Sequence, residues 1–213
     1  GLVGGLASPG LQGRTGWEVE LVLPGCQGAG PAGTPAVELR VASQLEGIVV
    51  ELPAPLGKSA AEARALRLSV PFAASGPGPV RLAYGDEVRA LLGLATDGMA
   101  VARAGIVLGA GEPVLPREGV VVRGALESLD LSGWRLPAGG AVTAGGSLSL
   151  TLADVHIGRL QVMGQTFADT TVRVQPDSGG WVVGLEGPDV AGGILLPAGP
   201  FRTVTARLDH LRL

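Results

Sequence analysis

The chain has 213 residues, of which 46% are hydrophobic, 16% charged and only 3% aromatic, with a formal net charge of −3. That balance leaves no basic footprint for nucleic acid or for an anionic membrane surface. Thirty-six glycines and 16 prolines interrupt any long helix without a Gly-X-Y period, and no uninterrupted run of about 18 apolar residues offers a transmembrane helix.

In chain order the apolar residues recur with period 2, the signature of strands with two different faces. Trp17, Val19, Leu21 and Leu23 alternate with Glu18 and Glu20, then a Gly/Pro-rich loop runs to Pro35. Val37, Leu39 and Val41 lead into the stretch around which the reading is built, Ser43 to Val70. There, Ile48, Val50 and Leu52 read as one strand and Leu66, Leu68 and Val70 as a second. Pro53 and Pro55 end the first, because proline donates no ladder hydrogen bond. Ser59-Ala60-Ala61-Glu62 has the form of a capping box, with room for one or two helical turns at most. The loop from Pro53 to Ala65 is expected to cover a sheet edge or a groove rim.

Further strands are predicted at Val80 to Tyr84, Val88 to Leu92, Met99 to Leu108, Val120 to Leu126 and Leu129 to Trp134. Asp97-Gly98 reads as a hairpin turn. Ser147 to Leu152 alternates Leu148, Leu150 and Leu152 with Ser147, Ser149 and Thr151. Strands are also predicted at Ile157 to Val162, Thr170 to Val174, Trp181 to Leu185, Val190 to Leu196 and Thr203 to Leu208. No segment holds a helical period over three turns. The predicted class is all-β: an elongated, twisted, predominantly antiparallel sheet curled into an open groove, with short helical turns at most. A fold-back near Trp134 divides it into segments 1–134 and 135–213. The chain reads as a segment of something longer.

The chemistry expected of an enzyme does not assemble. Gly28 to Gly33 matches GxGxxG literally, but Pro31, Pro35 and the following strand leave no helix N-terminus to hold a pyrophosphate. His156 and His210 lack ligand partners at metal spacing. Cys26 has no neighbouring histidine and, as the only cysteine, no internal disulfide partner. No catalytic residue, metal or cofactor is assigned. What remains is apolar alternation, and it nominates Leu148, Leu150, Leu152, Val120, Val122 and Leu126 as one apolar face, the Ser/Thr positions taking the other.

The order of the blocks also resembles a known family. Leu45-Glu46-Gly47, then Leu52-Pro53-Ala54-Pro55-Leu56-Gly57-Lys58 and Glu62-Ala63-Arg64, are similar to the YhdP-like branch of the AsmA-like proteins. Gly105 to Gly109, Leu115-Pro116, Gly119 to Gly124, and Trp134 match that family's next block. Trp181 with Leu185-Glu186-Gly187, Asp189 to Gly192 and Ala206 to Leu211 match the one after. Ala65 departs from the pattern, where a proline is expected. The resemblance implies a periplasmic segment of a Gram-negative envelope protein, anchored in the inner membrane by a helix outside this stretch. It also implies repeating β-groove units that shield phospholipid acyl chains in transit to the outer membrane. The implied partners are those acyl chains, the inner membrane and other envelope proteins, with no nucleic acid. The six apolar residues named above would then line the lipid path. The alternative is a structural envelope domain whose apolar faces close on one another.

Overall fold

The computed structural model describes residues 11–23, 37–52, 55–73, 76–95, 100–132, 149–197 and 203–212. Fifteen strands account for nearly all of its regular structure: β1 Leu11–Gly13, β2 Glu18–Val22, β3 Val37–Ser43, β4 Ile48–Val50, β5 Leu66–Ala73, β6 Gly76–Pro77, β7 Val80–Tyr84 and β8 Val88–Leu94. They continue with β9 Val101–Leu108, β10 Gly119–Asp130, β11 Leu150–Val162, β12 Gln165–Asp177, β13 Gly180–Glu186, β14 Val190–Pro197 and β15 Thr205–Leu211. No helix occurs among the described residues, and none there is long and apolar enough to cross a membrane.

Thirteen strands form one open sheet. Its order is β15-β14-β13-β12-β11-β10-β9-β8-β7-β5-β3-β2, with β6 paired to β5; the ends β2 and β15 do not meet. Successive strands are antiparallel neighbours except at β10, which runs parallel to both β9 and β11. The ten-residue link from Gly109 to Glu118 explains the first of these pairs. At about 3.3 Å per residue it spans about 33 Å, enough to retrace the roughly 26 Å of β9 and begin β10 at the same end.

That link is an extended strap across one face of the sheet, and glycines make room for it. A β-carbon on Gly105 would stand 2.0 Å from the Val114 carbonyl oxygen. One on Gly93 would meet the Arg103 side chain at 2.8 Å and Leu115 at 3.2 Å. Arg103 Nη1 donates to the Pro116 carbonyl at 3.4 Å. Gly105→Ala therefore lifts the strap, and an urea unfolding series is expected to show a loss of about 2 kcal/mol or more.

The stretch Ser43 to Val70 differs from the prediction in one respect. Ile48–Val50 is a strand but does not join the main sheet; it pairs with β1, in a small two-stranded unit. Pro53 and Ala54 lie outside the described residues, while Ser59 to Glu62 forms a single turn closed by Glu62 N–H to the Ser59 carbonyl at 3.3 Å. The unit sits at the strand ends between β3 and β5, so it forms a rim rather than covering a sheet edge. Its centre is Lys58, the chain's one lysine, only 5% exposed. The ammonium donates to the carbonyls of Leu45 at 2.8 Å, Ile48 at 2.6 Å and Ser59 at 2.8 Å, using its three protons.

Trp134, the 134/135 boundary, Leu148, Cys26, Asp97-Gly98 and the GxGxxG stretch lie outside the described residues. Strands β10 and β11, on either side of that boundary, pair along their length.

Candidate functional site

Cross-strand partners in a sheet point to the same face, so the register assigns every strand residue to a side. Starting at the β2 edge, one line of partners runs Val19, Val41, Leu68, Leu82, Ala90 and Ile106. It continues through Val122, Ala153, Val174, Val183, Ile194 and Ala206 at the β15 edge. Twelve strands contribute, and each contributes an apolar residue. At about 4.8 Å between strands the line is about 50 Å long.

The neighbouring lines behave alike. Val80, Leu92, Ala104, Val120 and Leu150 are successive partners on one side of it. On the other side Leu66, Tyr84, Val88, Leu108, Gly124 and Val155 follow one another, and Val172 and Leu185 extend the line.

The face carries few polar groups, and its hydroxyls are satisfied from within. Ser43 donates to the Gly16 carbonyl at 2.7 Å, Tyr84 to the Leu56 carbonyl at 2.9 Å, and Thr170, fully buried, to the Ala168 carbonyl at 3.0 Å. A face whose hydroxyls already have partners gains nothing from contact with water. The opposite face collects the strand arginines and acids: Glu18, Glu20, Arg40, Arg67, Arg81, Arg89, Arg123 and Arg173 all occupy it by register.

The sheet's buried apolar side chains also belong to the apolar face: Ala90, Ala104, Val120, Leu126, Val155, Ile157, Leu160 and Val190. Among the described residues no second layer covers that face, so its burial comes from side chains of the same face crowding together. The crowding is tightest around Ile157, 1% exposed, which packs with Leu126, Val155 and Leu160. Just beyond, pairing is interrupted in step at Glu127, Gly158 and Asp169, and Asp169 adopts a positive φ of 41°. The alternation slips by one residue there, so Leu160, three residues after Ile157, returns to the same cluster.

Of the predicted apolar positions, Val120, Val122, Leu126 and Leu150 share this face. Val120 and Leu126 are buried against their neighbours; Val122 and Leu150 are half-buried. Leu152 corrects the expectation of strict alternation. A β-bulge inserts Thr151 between partners, so Val120 opposes Leu150 but Val121 opposes Leu152, placing Leu152 on the polar face. Leu148 lies outside the described residues. Most of the face, including Leu68, Leu82, Ile106, Val183 and Ile194, lies in predicted strands but outside the six nominated positions. Each has a local period-2 signal, but only pairing shows that the strands aim them to one side.

At the rim, Tyr84 ties the small unit to the sheet. Arg64 lies over its ring at 5.1 Å and donates to the Pro55 carbonyl at 2.7 Å. Burial pushes the Tyr84 phenol above its ordinary value near 10, and the Arg64 charge partly offsets that rise. Because the folded-state value is raised, this contribution to stability is complete below about pH 10 and is lost as pH rises through the folded-state value. Tyr84 is the only tyrosine, so absorbance at 295 nm reports it alone. The expected midpoint lies above 10, and Arg64→Ala moves it higher still; a midpoint at or below 10 contradicts the burial.

No curated protein and no solved structure is significantly similar to the chain. A protein-family model, described as YhdP protein, does match it over residues 3–213. With that match spanning almost the whole sequence and an open, one-sidedly apolar sheet beneath it, the chain belongs to the YhdP family.

Proposed function

We propose that the apolar face shields phospholipid acyl chains, and that the chain is a non-catalytic periplasmic segment of an envelope protein moving phospholipid between the inner and outer membranes. The observation that supports this is the unbroken apolar line from Val19 to Ala206. A closed structural domain would cover such a face with another layer. Here, among the described residues, the face runs out to open edges: Val19 and Leu21 on β2 are 65% and 58% exposed, and Leu208 on β15 is 38% exposed.

The dimensions suit a lipid tail. A leaflet's hydrocarbon is about 15 Å deep, half the bilayer core, and an eight-residue strand offers about 26 Å of apolar height. Each methylene taken from water is worth about 0.8 kcal/mol, so a bare tail faces a barrier of order 10 kcal/mol. A wall of similar side chains lowers that barrier along its whole length without holding any one lipid tightly. The inner-membrane anchor and the envelope partners belong to this reading.

Photo-crosslinking residues at Leu82, Ile106, Leu150 and Val183, with Arg123, Leu152 and Val182 as opposite-face controls, test it in cells. Phospholipid adducts are expected at the first four and at background in the controls. Equal labelling of both faces, or none, overturns the reading.

A further inference from the structure

We propose that the polar face holds a second site, for a small phosphate-bearing anion, formed by Arg67, Arg81 and Arg89 in the groove beside the strap. The proposal is independent of the acyl-chain reading, since the site lies on the other side of the sheet.

The groove has a volume of about 640 Å³ and is bounded on one side by Glu112 and Pro113 of the strap. Arg67 and Arg89 both flank Ala83 in one line of partners, on β5 and β8, while Arg81 stands one pleat away on the intervening β7. Strand spacing and pleat put the three α-carbons about 8–10 Å apart. The floor between them is Ala83 and Ser69, small enough to leave the space open. All three line the groove, and guanidinium groups on stems of that reach are long enough to meet one tetrahedral anion, each able to offer a pair of N–H donors.

The neighbouring charges sharpen the choice of ligand. Arg40 is committed to Glu38 at 2.7 Å and Glu20 at 3.7 Å, and Ser69 donates its hydroxyl to Glu38. Arg89 gives one N–H to the Gly109 carbonyl at 3.1 Å and, among the described residues, keeps the rest. Arg67 and Arg81 have no carboxylate at ion-pair distance among the described residues. Strands β5, β7 and β8 place no acid on this face; Glu18, Glu20 and Glu38 stand on the β2–β3 side, and Glu112 stands on the other. Hydrogen bonds from Ser69 and Arg40 hold the Glu38 carboxyl down, and Glu38 is close enough to Arg81 for that charge to add to the effect. A long polyanion would meet those acids; a single phosphate group fits between them.

Two sources supply that chemistry, free phosphate and a lipid headgroup. Calorimetric titrations of the chain at low ionic strength with orthophosphate and with glycerophosphoethanolamine separate them. Saturable binding of orthophosphate alone assigns a free-anion site, and saturable binding of the diester assigns a headgroup site. Loss of a charged hydrogen bond predicts that Arg81→Gln or Arg67→Gln weakens binding about tenfold or more. Arg81→Lys recovers part of it, and Arg123→Gln, on the same face but outside the groove, changes it less than about twofold. Circular dichroism confirms that each variant is folded, and the two glutamine variants stand in for one another if either is not. No saturation with either compound, or an equal loss in Arg123→Gln, overturns the site.

Discussion

Leu82→Asp and Ile157→Asp are expected to fail in opposite ways. Leu82 is half-buried on the open part of the apolar face, so its carboxylate keeps contact with water and the sheet stays folded. It nonetheless plants a charge in the line of partners, where an acyl chain must cross it or strip its water. Phospholipid retained by the purified chain, measured by native mass spectrometry, is expected to fall on the order of tenfold or more, the ratio that about 1.4 kcal/mol produces. Ile157 is 1% exposed within the cluster of Leu126, Val155 and Leu160. A carboxylate there has neither water nor partner, and a cost above about 4 kcal/mol takes the three central strands apart. A Leu82→Asp chain that is folded and still fully lipid-loaded contradicts the proposed path. An Ile157→Asp chain with unchanged unfolding contradicts the crowding around Ile157.

Lys58→Met is the second large expected effect. Methionine keeps much of the aliphatic stem but leaves the carbonyls of Leu45, Ile48 and Ser59 without the ammonium that bonds all three. A buried acceptor left unmade costs about 1–3 kcal/mol, so the rim unit is expected to lose about 3 kcal/mol or more. Lys58→Arg does not rescue it, because a planar fork cannot reproduce three divergent donors from one nitrogen. Hydrogen exchange should locate the loss: protection drops at Gly47, Val50 and Arg64, whose N–H groups bond the carbonyls of Ala60, Lys58 and Gln44. Central strands β11 and β12 keep theirs. Uniform loss across the chain would mean that Lys58 supports the whole sheet rather than its rim.

The two predictions differ in how they relate to the sequence. Apolar alternation in Val37 to Val41, Leu66 to Val70 and Trp181 to Leu185 is a local property, since period 2 arises from the pleat of a single strand. That is why the all-β class was legible without coordinates, whereas the family resemblance was carried by the order of the sequence blocks. The Leu-Pro-Ala-Pro-Leu-Gly-Lys block was legible as a motif, yet nothing in its residues says that Lys58 turns inward. The position of an ammonium among three carbonyls depends on a turn joining residues 45, 48 and 59, which spacing alone does not define.

Register was decided by the tertiary structure. Leu150 and Leu152 are two apart and read as one face, but the bulge at Thr151 separates them. Ile157 and Leu160 are three apart and read as opposite faces, but the aligned interruption at Glu127, Gly158 and Asp169 brings them together. Both outcomes depend on which residue on a neighbouring strand stands opposite, a relation between segments far apart in the chain. The strap likewise lies across the polar face because Gly93 and Gly105, on different strands, leave a track for it. The sequence alone determined that this chain builds many two-faced strands. Pairing across twelve of them decided that their apolar sides form one continuous surface, because a strand carries its own alternation but not its alignment with the next.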